Sequence, residues 1–326
     1  MNGRKQRTVL NGETSEWDDV WSGVPQGSVL GPLAFLIYIN DIDCLAENIS
    51  IINKFADDTK LGHVIKDVHD VRILQDCLNA LVEWANTWGM SFNVDKCKVM
   101  HVGLRNPCLE YKMNGKVLAC TELERDIGVL VHKTLKPSKQ CTEASRRANG
   151  VLGKICRSFH YRDRHTFVKL YIQYVRPHLE FAVPAWAPWS AGDKEVLEKV
   201  QRRAVKMISG LQGATYEDRL KELKLQTFED GRKMFNLVQT LKILKGFDNV
   251  KTETWFIMVG ENQARITRAT TNPLNLVQHR SKSDIRKNFF SQRVVESWNN
   301  LPSELKESRS VQSFKSNLIK LMLGAS

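Results

Sequence analysis

Two adjacent carboxylates, Asp57 and Asp58, are the residues of this 326-residue chain best suited to chemistry. They lie between residues 50–56, apolar and β-branched at the start, and residues 59–64, which repeat that character. The pattern predicts a β-hairpin with the acidic pair at its tight turn. Two carboxylates leaning toward one point repel unless a cation sits between them. An oxygen-only, doubly negative site suits a hard ion such as Mg²⁺. Taken alone, the pair also reads as a solvated hairpin tip, so the surrounding sequence has to decide.

Upstream, residues 22–32 read Ser-Gly-Val-Pro-Gln-Gly-Ser-Val-Leu-Gly-Pro and lead into the apolar run 33–41. A glycine-rich entry into a helix lets backbone approach a ligand closely, and its free N–H groups favour negative charge. The helix itself, about residues 30–45, is apolar on most faces and is expected to be buried. Together with Phe55-Ala56-Asp57-Asp58, this stretch resembles the reverse transcriptases of non-LTR (LINE-type, jockey-like) retrotransposons. The resemblance extends through nearly the whole chain and corresponds to the C-terminal half of the polymerase region.

That resemblance implies an α+β fold: part of a right-hand polymerase palm, an antiparallel sheet with helices, followed by a helical thumb-like domain. It implies RNA-directed DNA polymerase chemistry with a two-Mg²⁺ site at Asp57 and Asp58. It also implies contacts from Gln26 and Gly27 to the incoming nucleotide and template. The partners would be an RNA template with a DNA primer or an RNA–DNA duplex, and deoxynucleotides. Family members draw the rest of the clamp from an aspartate on an earlier strand. Here only 24 residues precede Pro25, and Asp18 and Asp19 sit in the segment between the two motifs. One carboxylate cluster of two is therefore expected, as in a truncated element copy beginning at an internal Met1, which argues against polymerase activity by this chain alone. The alternative is a non-catalytic nucleic-acid-binding protein.

The remaining elements must position these groups. Two short strands, near residues 7–10 and 16–21, flank Asn11-Gly12, a pair suited to positive φ. Val71, Leu74, Leu78, Leu81, Ala85 and Trp88 recur at threes and fours, with Asp67 placed to cap and Gly89 to end that helix. Residues 93–102 then turn into a strand. Its Asn-x-x-Lys pattern resembles the family motif that brings a lysine close to the triphosphate, which selects Lys96. Lys96 and Lys98 read equally well as outward residues of an edge strand. A hairpin around Asn114-Gly115 and a strand at residues 125–132 complete the first region.

From residue 136 the apolar period becomes helical. Cys141, Ala144, Ala148, Val151, Leu152 and Ile155 share one face, with Arg146, Arg147 and Lys154 on the others. A second helix through Phe167, Leu170, Tyr171 and Tyr174 is expected to stop at Pro177. A third, through Leu197, Val200, Ala204, Ile208 and Leu211, exposes Arg202, Arg203 and Lys206. Basic amphipathic helices in series suit a phosphate backbone, though basic helices are also often plain solvated faces. Helices follow at residues 216–225 and 228–245, the latter with Thr227 and Asp230 as a capping box. Residues 251–287 read as a loop. An apolar cluster at 289–301, including Trp298-Asn299-Asn300-Leu301-Pro302, and a short closing helix end the chain. The expected domains are therefore 1–132 (partial palm), 133–250 (basic, thumb-like) and 251–326 (loop and short helices).

Charge agrees with a polyanionic partner: 48 Lys and Arg oppose 36 Asp and Glu, for +12. Residues 131–233 hold 21 basic and 11 acidic residues and so carry most of that excess. The 7 cysteines are scattered with no CxxC pair, which predicts reduced thiols and neither a disulfide framework nor a structural zinc site. The basic first residues form no signal peptide, and the longest apolar run is too short for a bilayer. An intracellular protein of nucleus or cytoplasm, neither secreted nor membrane-bound, is expected.

Overall fold

The computed structural model describes residues 3–21, 23–24, 27–46, 49–103, 105–261 and 272–322. It is a mixed α and β structure that divides into two units, Met1–Thr121 and Glu122–Ser326. Among the described residues, no helix is long and apolar enough to cross a membrane.

The first unit opens with a long interrupted hairpin. Its inner pair is β2 (Val9–Leu10) with β3 (Glu13–Thr14), and its outer pair is β1 (Lys5–Gln6) with β4 (Asp18–Asp19). Asn11 (φ 50°) and Gly12 (φ 88°) make the turn, as that dipeptide predicts. Next come α1 (Leu30–Tyr38) and a 3₁₀ segment (Asn40–Ala46). The antiparallel hairpin β5 (Ile51–Phe55) and β6 (Asp58–Gly62) follows. Helix α2 (Val68–Thr87) starts at a full capping box: Asp67 accepts from the His69 and Asp70 amides, and the Asp70 carboxylate accepts from the Asp67 amide. Val71, Cys77, Leu81, Trp84 and Ala85 are its buried residues, and Gly89 follows its end at φ 65°. Trp88, grouped with this stripe by spacing, is instead exposed, and its carbonyl accepts from the Tyr38 hydroxyl.

Strand β7 (Lys98–Val99) pairs in parallel with β10 (Ala119–Cys120), while β8 (Lys112–Met113) and β9 (Lys116–Val117) close over Asn114-Gly115. The core of this unit gathers Ile39, Ile42, the α2 stripe, Tyr111, Met113 and Leu118.

Helix α1 departs from its expected burial. Gly31 is its buried residue, and Leu30, Leu33, Leu36 and Ile37 are all more than half exposed. The described part of this unit supplies a core only at the C-terminal end of α1, through Phe35 and Ile39. Composition told of an apolar helix, not of what covers it.

The second unit begins with a hairpin, β11 (Leu123–Asp126) and β12 (Val129–His132), where sequence suggested one strand. The turn is Ile127-Gly128, with φ 43° and 84°. A β-branched residue in the left-handed region gives no recognisable turn signal. Helix α3 (Ser138–Ser158) buries Cys141, Ala144, Ala148, Leu152 and Ile155. Then α4 (Arg164–Leu170) passes through a π-helical turn (Tyr171–Val175) into α5 (Arg176–Glu180). The helical path therefore continues past Pro177. The π turn resets the hydrogen-bond register, which leaves Pro177 in the first turn of α5, where its missing N–H costs little.

Helices α6 (Val183–Trp186), α7 (Ala191–Lys206), α8 (Tyr216–Glu222) and α9 (Phe228–Leu244) follow. Thr227 caps α9 by accepting from Asp230 N at 3.1 Å. Inside this bundle Gln201 is fully buried. It accepts from Tyr171 Oη at 2.8 Å and donates to Gln226 O at 3.0 Å.

The stretch expected to be a loop contains α10 (Thr252–Trp255), a 3₁₀ turn (Val259–Glu261), a bridge between Met258 and Leu276, and α11 (Asp284–Lys287). The chain continues through α12 (Phe290–Arg293), α13 (Val295–Asn299), α14 (Ser303–Lys306) and α15 (Val311–Met322). Phe290, Trp298, Phe314 and Leu318 pack with Leu237 and Leu241 of α9, so α9 serves this core as well as the bundle.

Candidate active site and nucleic-acid interface

The β5–β6 hairpin follows from alternation. Ile52 faces Leu61 and Lys54 faces Thr59, and these four form its half-buried side. Ile52 and Leu61 pack on the core of the first unit. Lys54 Nζ donates to Ile39 O and Asn40 O, each at 3.2 Å, and pairs with Asp43 Oδ2 at 2.9 Å. That lysine ties the hairpin to the end of α1. The other face carries Asn53, Phe55, Asp58 and Lys60, all exposed.

Phe55 and Asp58 are the last paired residues, which makes Ala56-Asp57 a two-residue turn, with Ala56 at φ 53°. Asp57 is thus the second turn residue and Asp58 the first residue of β6, at the tip of the hairpin as the sequence pattern predicts. Both are exposed, and among the described residues neither side chain has a hydrogen-bond or ion-pair partner. No third carboxylate, imidazole or thiol joins them in a metal-holding group among the described residues. Two free carboxylates fit the way Mg²⁺ is commonly held, by one or two carboxylates with water and substrate phosphate filling the shell.

Gln26 lies outside the described residues. Gly27 is exposed at φ 76°, and a β-carbon added there would meet nothing within 4 Å among the described residues. Lys96 ends an exposed turn, its amide bonded to Asn93 O at 3.0 Å, one residue before Cys97 and two before β7. Asp18 and Asp19 lie on β4, where Asp19 pairs with Lys5 at 3.8 Å.

In the second unit α3 and α7 run side by side and in the same direction. Ser138 bonds Asp193 (2.8 Å), Ser145 bonds Val196 O (3.3 Å), and Arg203 Nη1 donates to Asn149 Oδ1 (3.2 Å). Arg146, Arg147, Lys154, Arg202, Arg203 and Lys206 are all exposed, as are Lys139, Arg157 and Lys199. Some are held in place. Arg146 and Arg147 both bond Glu143 at 2.8 Å, and Arg125 approaches the same carboxylate at 3.5 Å. The hydrogen bonds from Arg146 and Arg147 hold the Glu143 carboxyl at about 2, far below the usual carboxylate range. Arg202 pairs with Glu195 at 2.6 Å and lies over the Tyr216 ring at 5.2 Å. Glu143 escapes a search for cations, yet its spacing of three and four to Arg146 and Arg147 is a readable signal.

Residues 4–144 match the family model described as reverse transcriptase (RNA-dependent DNA polymerase). The chain is 27% identical over 235 residues to the RNA-directed DNA polymerase from mobile element jockey of Drosophila funebris, covering 68% of this chain and 25% of that protein. It is 25% identical over 240 residues to the probable RNA-directed DNA polymerase from transposon X-element of Drosophila melanogaster, covering 71% and 26%. It is 23% identical over 252 residues to the jockey polymerase of Drosophila melanogaster, covering 73% and 27%. The chain spans about a quarter of the length of these curated relatives. No solved structure matches it. The resemblance to LINE-type reverse transcriptases carried by the Pro-Gln-Gly and Asp-Asp motifs is thus borne out.

Proposed function

We propose that this reverse transcriptase-like chain supplies the Asp57–Asp58 carboxylates, and a surface for template and primer, to an RNA-directed DNA polymerase of a LINE-type retrotransposon. The observation that carries the reading is the β5–β6 tip. It presents two adjacent, exposed, uncommitted carboxylates inside the stretch that matches the reverse transcriptase family.

In this reading residues 1–132 form part of a palm, 133–250 a thumb-like domain, and 251–326 the closing loop and short helices. Asp57 and Asp58 would hold Mg²⁺, whose positive charge would lower the pKa of a primer 3′-hydroxyl and offset the charge of departing pyrophosphate. Gly27, lacking a β-carbon, lets backbone lie close to nucleotide and template, and Gln26 belongs to the same contact. Lys96, on its exposed turn, offers an ammonium to the triphosphate.

Primer extension on an RNA template with Mg²⁺ tests this, comparing the native chain with Asp57→Ala and Asp58→Ala. A loss of about 4 kcal/mol of charge stabilisation lowers incorporation roughly a thousandfold, at about 1.4 kcal/mol per factor of ten. Equal incorporation by all three proteins would sink the catalytic reading.

A second reading, nucleic-acid binding without catalysis, draws on the exposed cations of the parallel pair α3 and α7. Its affinity for an RNA–DNA duplex should fall steeply with salt, because each phosphate contact releases counterions. Charge removal at Arg146, Arg203 and Lys206 should flatten that slope, and a slope already flat in the native chain rejects it.

A further inference from the structure

A cavity of about 290 Å³ lies in the second unit, remote in sequence from the Asp57–Asp58 hairpin, between the start of α9, the stretch after α6, and α12. Its charged lining is Lys194, Arg232, Lys233 and Arg293 against the single carboxylate of Glu229. That carboxylate is already taken, since Lys194 Nζ bonds it at 2.7 Å.

Arg232 is only 5% exposed, and among the described residues its Nη1 has no hydrogen-bond partner. Three carboxylates act on it through space, those of Glu198, Glu229 and Glu180. Each is committed elsewhere. Glu180 pairs with Arg176 at 2.7 Å, Glu229 with Lys194, and Glu198 accepts from the Tyr216 hydroxyl and from Phe228 N at 3.2 Å. Arg293 is tied down by Nη2 to Pro184 O at 2.6 Å and Asn236 Oδ1 at 3.2 Å, and by Nη1 to Asn288 O at 2.9 Å. Among the described residues its buried Nε has no partner.

Two guanidinium groups with orphaned buried donors at one cavity are costly unless an anion answers them. Burial pulls the pKa of Arg293 down to about 10 and lowers that of Arg232, where Glu198, Glu229 and Glu180 act in the opposite direction.

We propose that this cavity is a phosphate-binding site that takes a phosphomonoester, with Arg232 and Arg293 as its clamp and Lys233 at its edge. Arg232 offers a guanidinium edge, Arg293 offers its Nε, and phosphate oxygens present more acceptor positions than a carboxylate. The volume is several times the roughly 30 Å³ share of one water molecule, so an organic group fits beside the phosphate. Trp189 lines the same wall and gives that group an apolar surface. The phosphate can arrive free, as on a mononucleotide, or as the terminal phosphate of a strand.

Titration calorimetry on the full chain tests the site. The probes are inorganic phosphate, a nucleoside 5′-monophosphate, and a short single strand carrying either a 5′-phosphate or a 5′-hydroxyl. Saturable binding of the phosphate-bearing probes is expected, weakened about tenfold or more by Arg232→Met and by Lys233→Glu. It should be unchanged in Lys320→Glu, on the exposed side of α15. Lys233 is exposed, so its variant remains informative if Arg232→Met does not fold. Preference for the 5′-phosphorylated strand over the mononucleotide identifies a strand end as the source, and the reverse order identifies a free ligand. Absence of phosphate binding, or equal affinities in the native chain and Lys233→Glu, overturns the proposal.

Discussion

Asn299 holds Leu276 by both of its backbone groups: Oδ1 accepts from Leu276 N at 2.8 Å, and Nδ2 donates to Leu276 O at 3.0 Å. A side-chain amide here does the work of a neighbouring strand. Trp298 adds a third bond, from Nε1 to Leu274 O at 3.0 Å. The Trp298-Asn299 pair, in which the sequence shows no catalytic type, thus fastens residues 274–276 onto the C-terminal core. Asn299→Ala removes both bonds and leaves the Leu276 groups unmet, which should cost about 1–3 kcal/mol. Urea unfolding followed by tryptophan fluorescence measures it, and an unchanged midpoint would contradict this role.

Gln201 invites a similar experiment inside the bundle. It serves Tyr171, Tyr216 and the Gln226 carbonyl from a fully buried position. Gln201→Leu keeps much of the volume but strands those partners, and a loss of about 1–3 kcal/mol is expected. If the partners find water instead, Tyr171→Phe combined with Gln201→Leu will be no more stable than Gln201→Leu alone.

Acid should act late on Glu143. Its folded pKa, about 2, lies below the ordinary carboxylate value of 4.5 because Arg146 and Arg147 bond the ionised form. A depressed carboxylate contributes stability that is complete above pH 4.5 and disappears as pH falls toward 2. The acid limb of a stability-versus-pH curve should therefore be shallower in Glu143→Gln than in the native chain. Identical limbs would mean that the three-arginine cluster is not formed in solution.

Thiol labelling separates the cysteines. Cys108 and Cys120 are exposed, whereas Cys141 is fully buried and burial pushes its pKa up to about 12. A thiolate is the reactive form. Iodoacetamide at neutral pH should modify Cys108 and Cys120 within minutes and reach Cys141 only on unfolding, as peptide mass mapping would show. Rapid labelling of Cys141 would place the α3 face outside the core.

Much of this fold is legible because local rules and tertiary packing agree. The stripes of α2, α3 and α7 repeat at helical spacing, Asp67 and Thr227 cap as their types suggest, and both Asn-Gly pairs turn with positive φ. Legibility fails where a distant partner decides. Leu33 and Leu36 look like core residues and face water, Pro177 looks like a stop and sits inside a continuing path, and Ile127 turns without a turn residue's chemistry. At the candidate site, residue type revealed the Asp57–Asp58 pair, but the Lys54 anchor to Ile39 O and Asn40 O could not be read from spacing.

The pairing of strands two by two in the first unit also sets a timescale. An isolated two-stranded ribbon is marginal in water, and β5–β6 borrows its order mainly from Lys54, Ile52 and Leu61 beneath it. Amide deuterium uptake should therefore run through Ile51–Phe55 and Asp58–Gly62 well before it reaches α3. The acidic tip would then be a segment that breathes while the helical unit stays shut.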